Sequence, residues 1–260
     1  MTRAPALLQT AIALLVAVAA CGPSGEEPLR VSAAVSLTDA LTRAVAVWEA
    51  RGNLTVVPNF AASNILARQI AEGAPADVFI SADEAQVNRL IEVGAVAAGD
   101  VLPLLSNRLV IVVPRGHRLP GEPPRSLADP AIARVAMGDP EAVPAGVYAR
   151  VWLERAGLWP AVRPKAVPSI SVRAALAAVE SGNADAGIVY ATDARPGDRV
   201  DVAWSVPTAD GPRIVYPVAV VKATGRPSAA RRFQAFLRGP EASRIFADAG
   251  FVPLSGPPAP

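Results

Sequence analysis

FAASNILARQIAEGAPADVFISAD, residues Phe60–Asp83, holds the pattern that decides the fold. It begins at the end of an apolar run, passes a small hydroxyl-bearing turn and enters an amphipathic segment. Ile65, Leu66, Gln69 and Ile70 follow at helical spacing. Gly73 and Pro75 then break the pattern before a second short apolar run, Val78 to Ile80. Strand, polar turn, helix, strand is the unit that aims backbone N–H groups of a helix start at an anion.

The same alternation extends in both directions. A strand over 29–35 precedes a helix near 37–50, with Leu37, Ala40, Leu41, Ala44, Val45 and Trp48 on one face. Strands are expected at 54–60, 78–80, 108–113, 135–138, 186–190, 200–206 and 214–221. Helices are expected at 85–96, with Val87, Leu90, Ile91 and Gly94 on one stripe, and at 145–156, 229–237 and 241–249. This alternation predicts an α/β architecture with sheets covered on both faces. No internal repeat of fixed period is visible.

The first residues, MTRAPALLQTAIALLVAVAAC, read as an export signal over residues 1–20. Arg3 supplies the positive charge, and Ala11 to Ala20 is an apolar run too short to span a bilayer comfortably. Val18-Ala19-Ala20-Cys21 looks like a lipoprotein cleavage site that leaves Cys21 to be acylated. An ordinary signal peptide that happens to adjoin a cysteine is the other reading. Cys21 is the only cysteine, so a monomeric chain has no internal disulfide. Residues 21–28 then read as a lipidated cysteine and tether.

Formal net charge is +2 over 260 residues, aromatic residues are 5% of the chain, and no basic run appears. Composition therefore argues against a nucleic-acid partner. The single histidine, His117, lies in a charged loop, and no Gly-x-Ser-x-Gly elbow accompanies it. A hydrolase is disfavoured, and so is a zinc site built without free thiols. A ferric site would use clustered tyrosines, whereas Tyr148, Tyr190 and Tyr216 are not adjacent in the sequence. Asp77 and Asp83 flank the run at 78–80 and are expected at strand ends or in solvent.

Four turns can present hydrogen-bond donors. Ser36 ends the first strand, with Asp39 at capping-box spacing, and Ser63 holds the equivalent place before the second helix. Val143-Pro144-Ala145-Gly146 starts a third helix with proline pre-set near its first position. Ser171-Val172-Arg173 opens a fourth. Tyr190 ends a strand, where ligands of open α/β sheets gather. Each residue also has a plain structural use: helix cap, helix start, or a buried aromatic with a satisfied hydroxyl. Arg68 and Arg173 are either anion clamps or solvated helix-surface charges.

The Phe60–Asp83 block resembles the periplasmic molybdate-binding proteins of ABC importers. The likeness continues through AAVSLTDA (33–40), GDPEAVPAGVYA (138–149), VRAALAAVE (172–180), GIVY (187–190), YPVAVV (216–221) and GFV (250–252). It implies a two-lobed periplasmic-binding-protein fold, each lobe a sheet flanked by helices, with two interlobe crossings. One lobe would take 29–106 and 217–260 and the other 107–216. It implies a binding protein rather than an enzyme, with no cofactor, that captures molybdate or tungstate and delivers it to a membrane permease and its ATPase. Carried over block by block, the oxyanion contacts fall on Ser36, Ser63, Ala145, Val172 and Tyr190. Sulfate or another small anion in the same fold is the alternative. Val35 and Asn64 depart from the commonest family pattern, which bears on cavity shape more than on donor type.

Overall fold

A computed structural model describes residues 27–194 and 199–254. The expected signal peptide and Cys21 lie outside them. In chain order the strands are β1 (Leu29–Ala34), β2 (Val56–Ala61), β3 (Val78–Ile80), β4 (Val96–Ser106), β5 (Leu109–Pro114), β6 (Val135–Gly138), β7 (Ala166–Ser169), β8 (Ala186–Tyr190), β9 (Val200–Ser205), β10 (Tyr216–Val221) and β11 (Val252–Pro253). The helices are α1 (Thr38–Ala50), α2 (Ser63–Ala71), α3 (Glu84–Glu92), α4 (Pro144–Arg155), α5 (Trp159–Val162), α6 (Val172–Glu180), α7 (Pro227–Arg238) and α8 (Pro240–Asp248).

The strands form two mixed sheets, ordered β11-β4-β10-β3-β1-β2 and β7-β6-β8-β5-β9. In the first, β1 runs parallel to β2 and β3, while β10 is antiparallel to β3 and β4. In the second, β6 is parallel to β7 and β8, and β5 is antiparallel to β8 and β9. The chain leaves the first sheet after Ser106 and rejoins it at Tyr216, whose partner is Leu105. A Ser106 Oγ bond to the Ile214 carbonyl, 2.7 Å, ties the two crossings together.

Period-two alternation explains why the first sheet carries helices on both faces. Val78 and Ile80 of β3, with Val218 and Val220 of β10, join the core that contains Leu41, Trp48, Phe233 and Phe246. Phe79, Ala219 and Val221 point the other way, onto Leu66, Ile70, Val87 and Leu90 of α2 and α3. Both faces are apolar, so these strands show continuous hydrophobic runs.

The structure corrects one expected element and adds another. The helix expected at 85–96 stops at Glu92, because Gly94 turns left-handed (φ 75°) and Ala95 N–H returns to the Leu90 carbonyl. Val96 then begins β4, an eleven-residue strand that its Gly99, Asp100 and Pro103 had concealed. Pro103 lies opposite Pro217 where the β4–β10 register shifts, a place where a missing N–H is tolerated.

Candidate functional site

The five sequence-derived residues come together. Ser36 and Ser63 from the first lobe, and Ala145, Val172 and Tyr190 from the second, line one cavity. The cavity is small, about 10 Å³, far below the roughly 300–1,000 Å³ of pockets for drug-sized ligands, so it suits only a ligand of a few atoms. Each of the five is 3% exposed or less, so the two lobes close over it. Ala34, Val35, Ala62, Ala82, Val143 and Pro144 complete the wall, which carries no ionisable acid or base apart from the tyrosine phenol. Larger clefts flank the interlobe crossings, but they lack this convergence of helix starts.

The local structure of the first lobe's serines differs from the expected caps. A 3-10 turn, Val35–Leu37, intervenes between β1 and α1, and Leu37 rather than Ser36 precedes the helix. The capping box does not form. The turn swings Ser36 inward, where its Oγ meets Tyr216 Oη at 3.0 Å. Ser63 is the first residue of α2, not its cap, and its Oγ accepts the Ala82 backbone N–H at 2.9 Å. Neither hydroxyl is consumed by its own helix.

The second lobe supplies helix starts. Ser171 does cap α6, accepting Ala174 N–H at 3.1 Å, which leaves Val172 at the first position. Pro144 and Ala145 form the first turn of α4. First-turn amides have no intrahelical acceptor and sit at the positive end of the helix dipole. This turn lies hard against the end of β6, since a Cβ on Gly146 would fall 2.0 Å from the Gly138 carbonyl oxygen.

Tyr190 differs most from its plain reading. It is fully buried, yet its hydroxyl has no hydrogen-bond partner among the described residues. A buried unsatisfied donor costs about 1–3 kcal/mol, which points to a group that this cavity is built to receive. Burial first, and the neighbouring tyrosines next, hold its phenol well above the ordinary pKa. The phenol is therefore kept neutral, with its proton available to donate. Tyr216, whose ring centroid is 5.8 Å from that of Tyr190, is brought close by the fold despite its distance in sequence. Tyr216 Oη bonds Ser36 and Asn107, burial disfavours phenolate, and no cluster of three His, Cys, Asp or Glu exists among the described residues.

Sequence reasoning missed the clasp between the lobes. Arg173 of α6 bonds Asp39 of α1 at 2.8 Å across the cleft and Asp193 of its own lobe at 2.6 Å. Burial opposes its charge, but the two carboxylates outweigh that and raise its pKa. It is a partly exposed charge held by two carboxylates, and it does not line the cavity. Asp77 and Asp83 are structural. Asp77 accepts Arg30 N–H at 2.7 Å, and Asp83 caps α3 through Gln86 N–H at 3.0 Å.

Residues 29–252 match the family described as bacterial extracellular solute-binding protein. The Escherichia coli molybdate-binding protein ModA is 38% identical over 244 residues, covering 92% of this chain and 95% of that protein. The Azotobacter vinelandii periplasmic molybdate-binding protein structure superposes with a TM-score of 0.77 at 25% identity, covering 86% of this chain and 98% of its own. The sulfate-binding protein SubI of Mycobacterium tuberculosis has a TM-score of 0.75 at 21% identity, covering 87% of each chain, a likeness of fold alone.

Proposed function

The chain belongs to the bacterial extracellular solute-binding protein family, and from that premise we propose that it captures molybdate between its lobes for an ABC importer. The observation that carries this reading is a small interlobe cavity lined by hydroxyls and helix starts. Hydroxyls of Ser36, Ser63 and Tyr190 and the first turns of α2, α4 and α6 converge there without a carboxylate.

Molybdate, tungstate and sulfate are fully deprotonated at neutral pH and only accept hydrogen bonds. Bonds to a charged partner contribute about 1.5–3 kcal/mol each. Several of them offset the costs of desolvation and ordering and leave an affinity of about −8 to −12 kcal/mol. Hydrogen phosphate carries a proton that would meet a donor. Sulfate has shorter bonds to oxygen and would fit the donors less well, whereas tungstate is close to molybdate in size. Contacts from both lobes make the ligand favour the closed state, because a ligand shifts a conformational equilibrium only through differential contacts.

Parallel calorimetric titration of the purified chain tests the reading. Molybdate and tungstate are expected to bind one-to-one and tightly, sulfate far more weakly, and phosphate not detectably. Equal affinity for phosphate and molybdate would refute the all-donor site.

The sequence supports a second, independent part of the proposal: Cys21 carries the lipid that tethers the protein outside the cytoplasm, at the periplasmic or cell-surface side of a membrane. Mass spectrometry of the N-terminal peptide should find an acylated Cys21. An unmodified cysteine or cleavage elsewhere rules it out.

A further inference from the structure

We propose that Tyr216 and Asn107 are positioning residues that hold the Ser36 hydroxyl as a donor toward the cavity and so set which anions the site accepts. This rests on the oxyanion reading above. A serine hydroxyl has one proton and two lone pairs, so its partners decide whether it can donate to a ligand.

For Ser63 the decision is made by backbone. Ala82 N–H can only donate, it occupies a lone pair of Ser63 Oγ, and the serine proton is left for the cavity. For Ser36 the partner is Tyr216 Oη at 3.0 Å, a pair in which either oxygen can donate. Asn107 settles the direction. Its Oδ1 accepts the Arg108 backbone N–H at 2.9 Å, which fixes the amide orientation. Its Nδ2 then faces Thr192 Oγ1 at 2.8 Å and Tyr216 Oη at 3.4 Å. An amide nitrogen only donates. Ser36 and Asn107 are the only partners of Tyr216 Oη among the described residues, and Asn107 cannot accept through its nitrogen, so the phenol proton goes to Ser36, whose own proton is left for the cavity.

Both relay residues are buried, Tyr216 completely and Asn107 to 8% exposure. The bond from Asn107 is long and contributes little energy; its effect is directional. Burial, reinforced by the Asp193 charge, keeps the Tyr216 phenol protonated far beyond its ordinary range. The relay also joins the two crossings, since Asn107 lies between β4 and β5 and Tyr216 opens β10.

A Ser36 hydroxyl locked as donor satisfies a bare oxyanion and opposes the O–H of hydrogen phosphate. Released from Tyr216, the same hydroxyl can turn and accept that proton. The relay is thus a specificity determinant acting through Ser36.

The test titrates the parent chain, Tyr216→Phe and Asn107→Asp with molybdate and reads the much weaker phosphate affinity from displacement of bound molybdate at high phosphate concentration, at mildly alkaline pH where both are dianions. Ring contacts of Tyr216 with Tyr190 and Phe251 are retained in the phenylalanine variant. Molybdate affinity is expected to fall about tenfold in Tyr216→Phe while phosphate affinity holds or rises, so the preference narrows by about tenfold or more. In Asn107→Asp the relay reverses: the carboxylate accepts from Tyr216, Tyr216 accepts from Ser36, and Ser36 faces the ligand with a lone pair. Its added charge penalises both dianions, so their ratio isolates the change of direction. Tyr216→Phe retaining the parent ratio, whether both affinities fall or neither does, overturns the relay while the binding function stands. A parent chain that binds no molybdate overturns the function and the relay with it.

Discussion

A Tyr190→Phe chain should fold at least as stably as the parent and bind molybdate about tenfold to a hundredfold more weakly. The two effects share one cause. Tyr190 Oη is buried without a partner among the described residues, so deleting it removes an unsatisfied donor from the ligand-free protein. The ring is surrounded by Tyr216 and the strand core, and phenylalanine fills the same space. In the complex the lost bond is one to a charged acceptor, about 1.5–3 kcal/mol. Urea unfolding without ligand reads the first effect and calorimetric titration the second. A variant that loses stability but keeps its affinity would make the phenol a structural group and place the ligand elsewhere.

The candidate site was more legible than its supports. Ser36, Ser63, Ala145, Val172 and Tyr190 stand at strand ends and helix starts, positions that short-range periodicity and turn chemistry mark. Their convergence on one cavity depends on two lobes meeting, which no local pattern encodes; the family resemblance implied it. Tyr216 lay inside a quoted block, but its bond to Ser36 spans 180 positions and has no local signature. The same holds for Arg173 and Asp39, 134 positions apart. Asp39 read as a capping residue because the 3-10 turn before α1 cannot be seen in the letters.

Among the strands, those buried on both faces were plain, since Val78–Ile80 and Ala186–Tyr190 are nearly pure apolar runs. The strand β4 was not. It is half exposed, interrupted by glycine and proline, and held by pairing to β10 and β11 rather than by its own pattern. Short β7 and β11 likewise owe their form to a neighbour. Tertiary context decides such edges.

Gly146→Ala should cost about 1–3 kcal/mol of stability and carry a loss of anion affinity with it, although residue 146 offers no side chain to any ligand. Alanine is the better helix former, so a surface view of α4 predicts a gain. Geometry predicts the opposite. The added Cβ would sit 2.0 Å from the Gly138 carbonyl oxygen and 2.5 Å from that of Asp139, both backbone atoms at the end of β6. A rotamer change cannot relieve contacts with main chain, so the first turn of α4 must lift from the sheet. Pro144 and Ala145 move with that turn, and they form one wall of the cavity. Hydrogen bonds weaken steeply as distance and angle depart from their optimum, so a displacement of about one ångström suffices to lose the α4 contribution. Thermal unfolding and titration of the same variant measure both consequences. A Gly146→Ala chain more stable than the parent, with unchanged affinity, would mean that α4 is not seated against β6 as described.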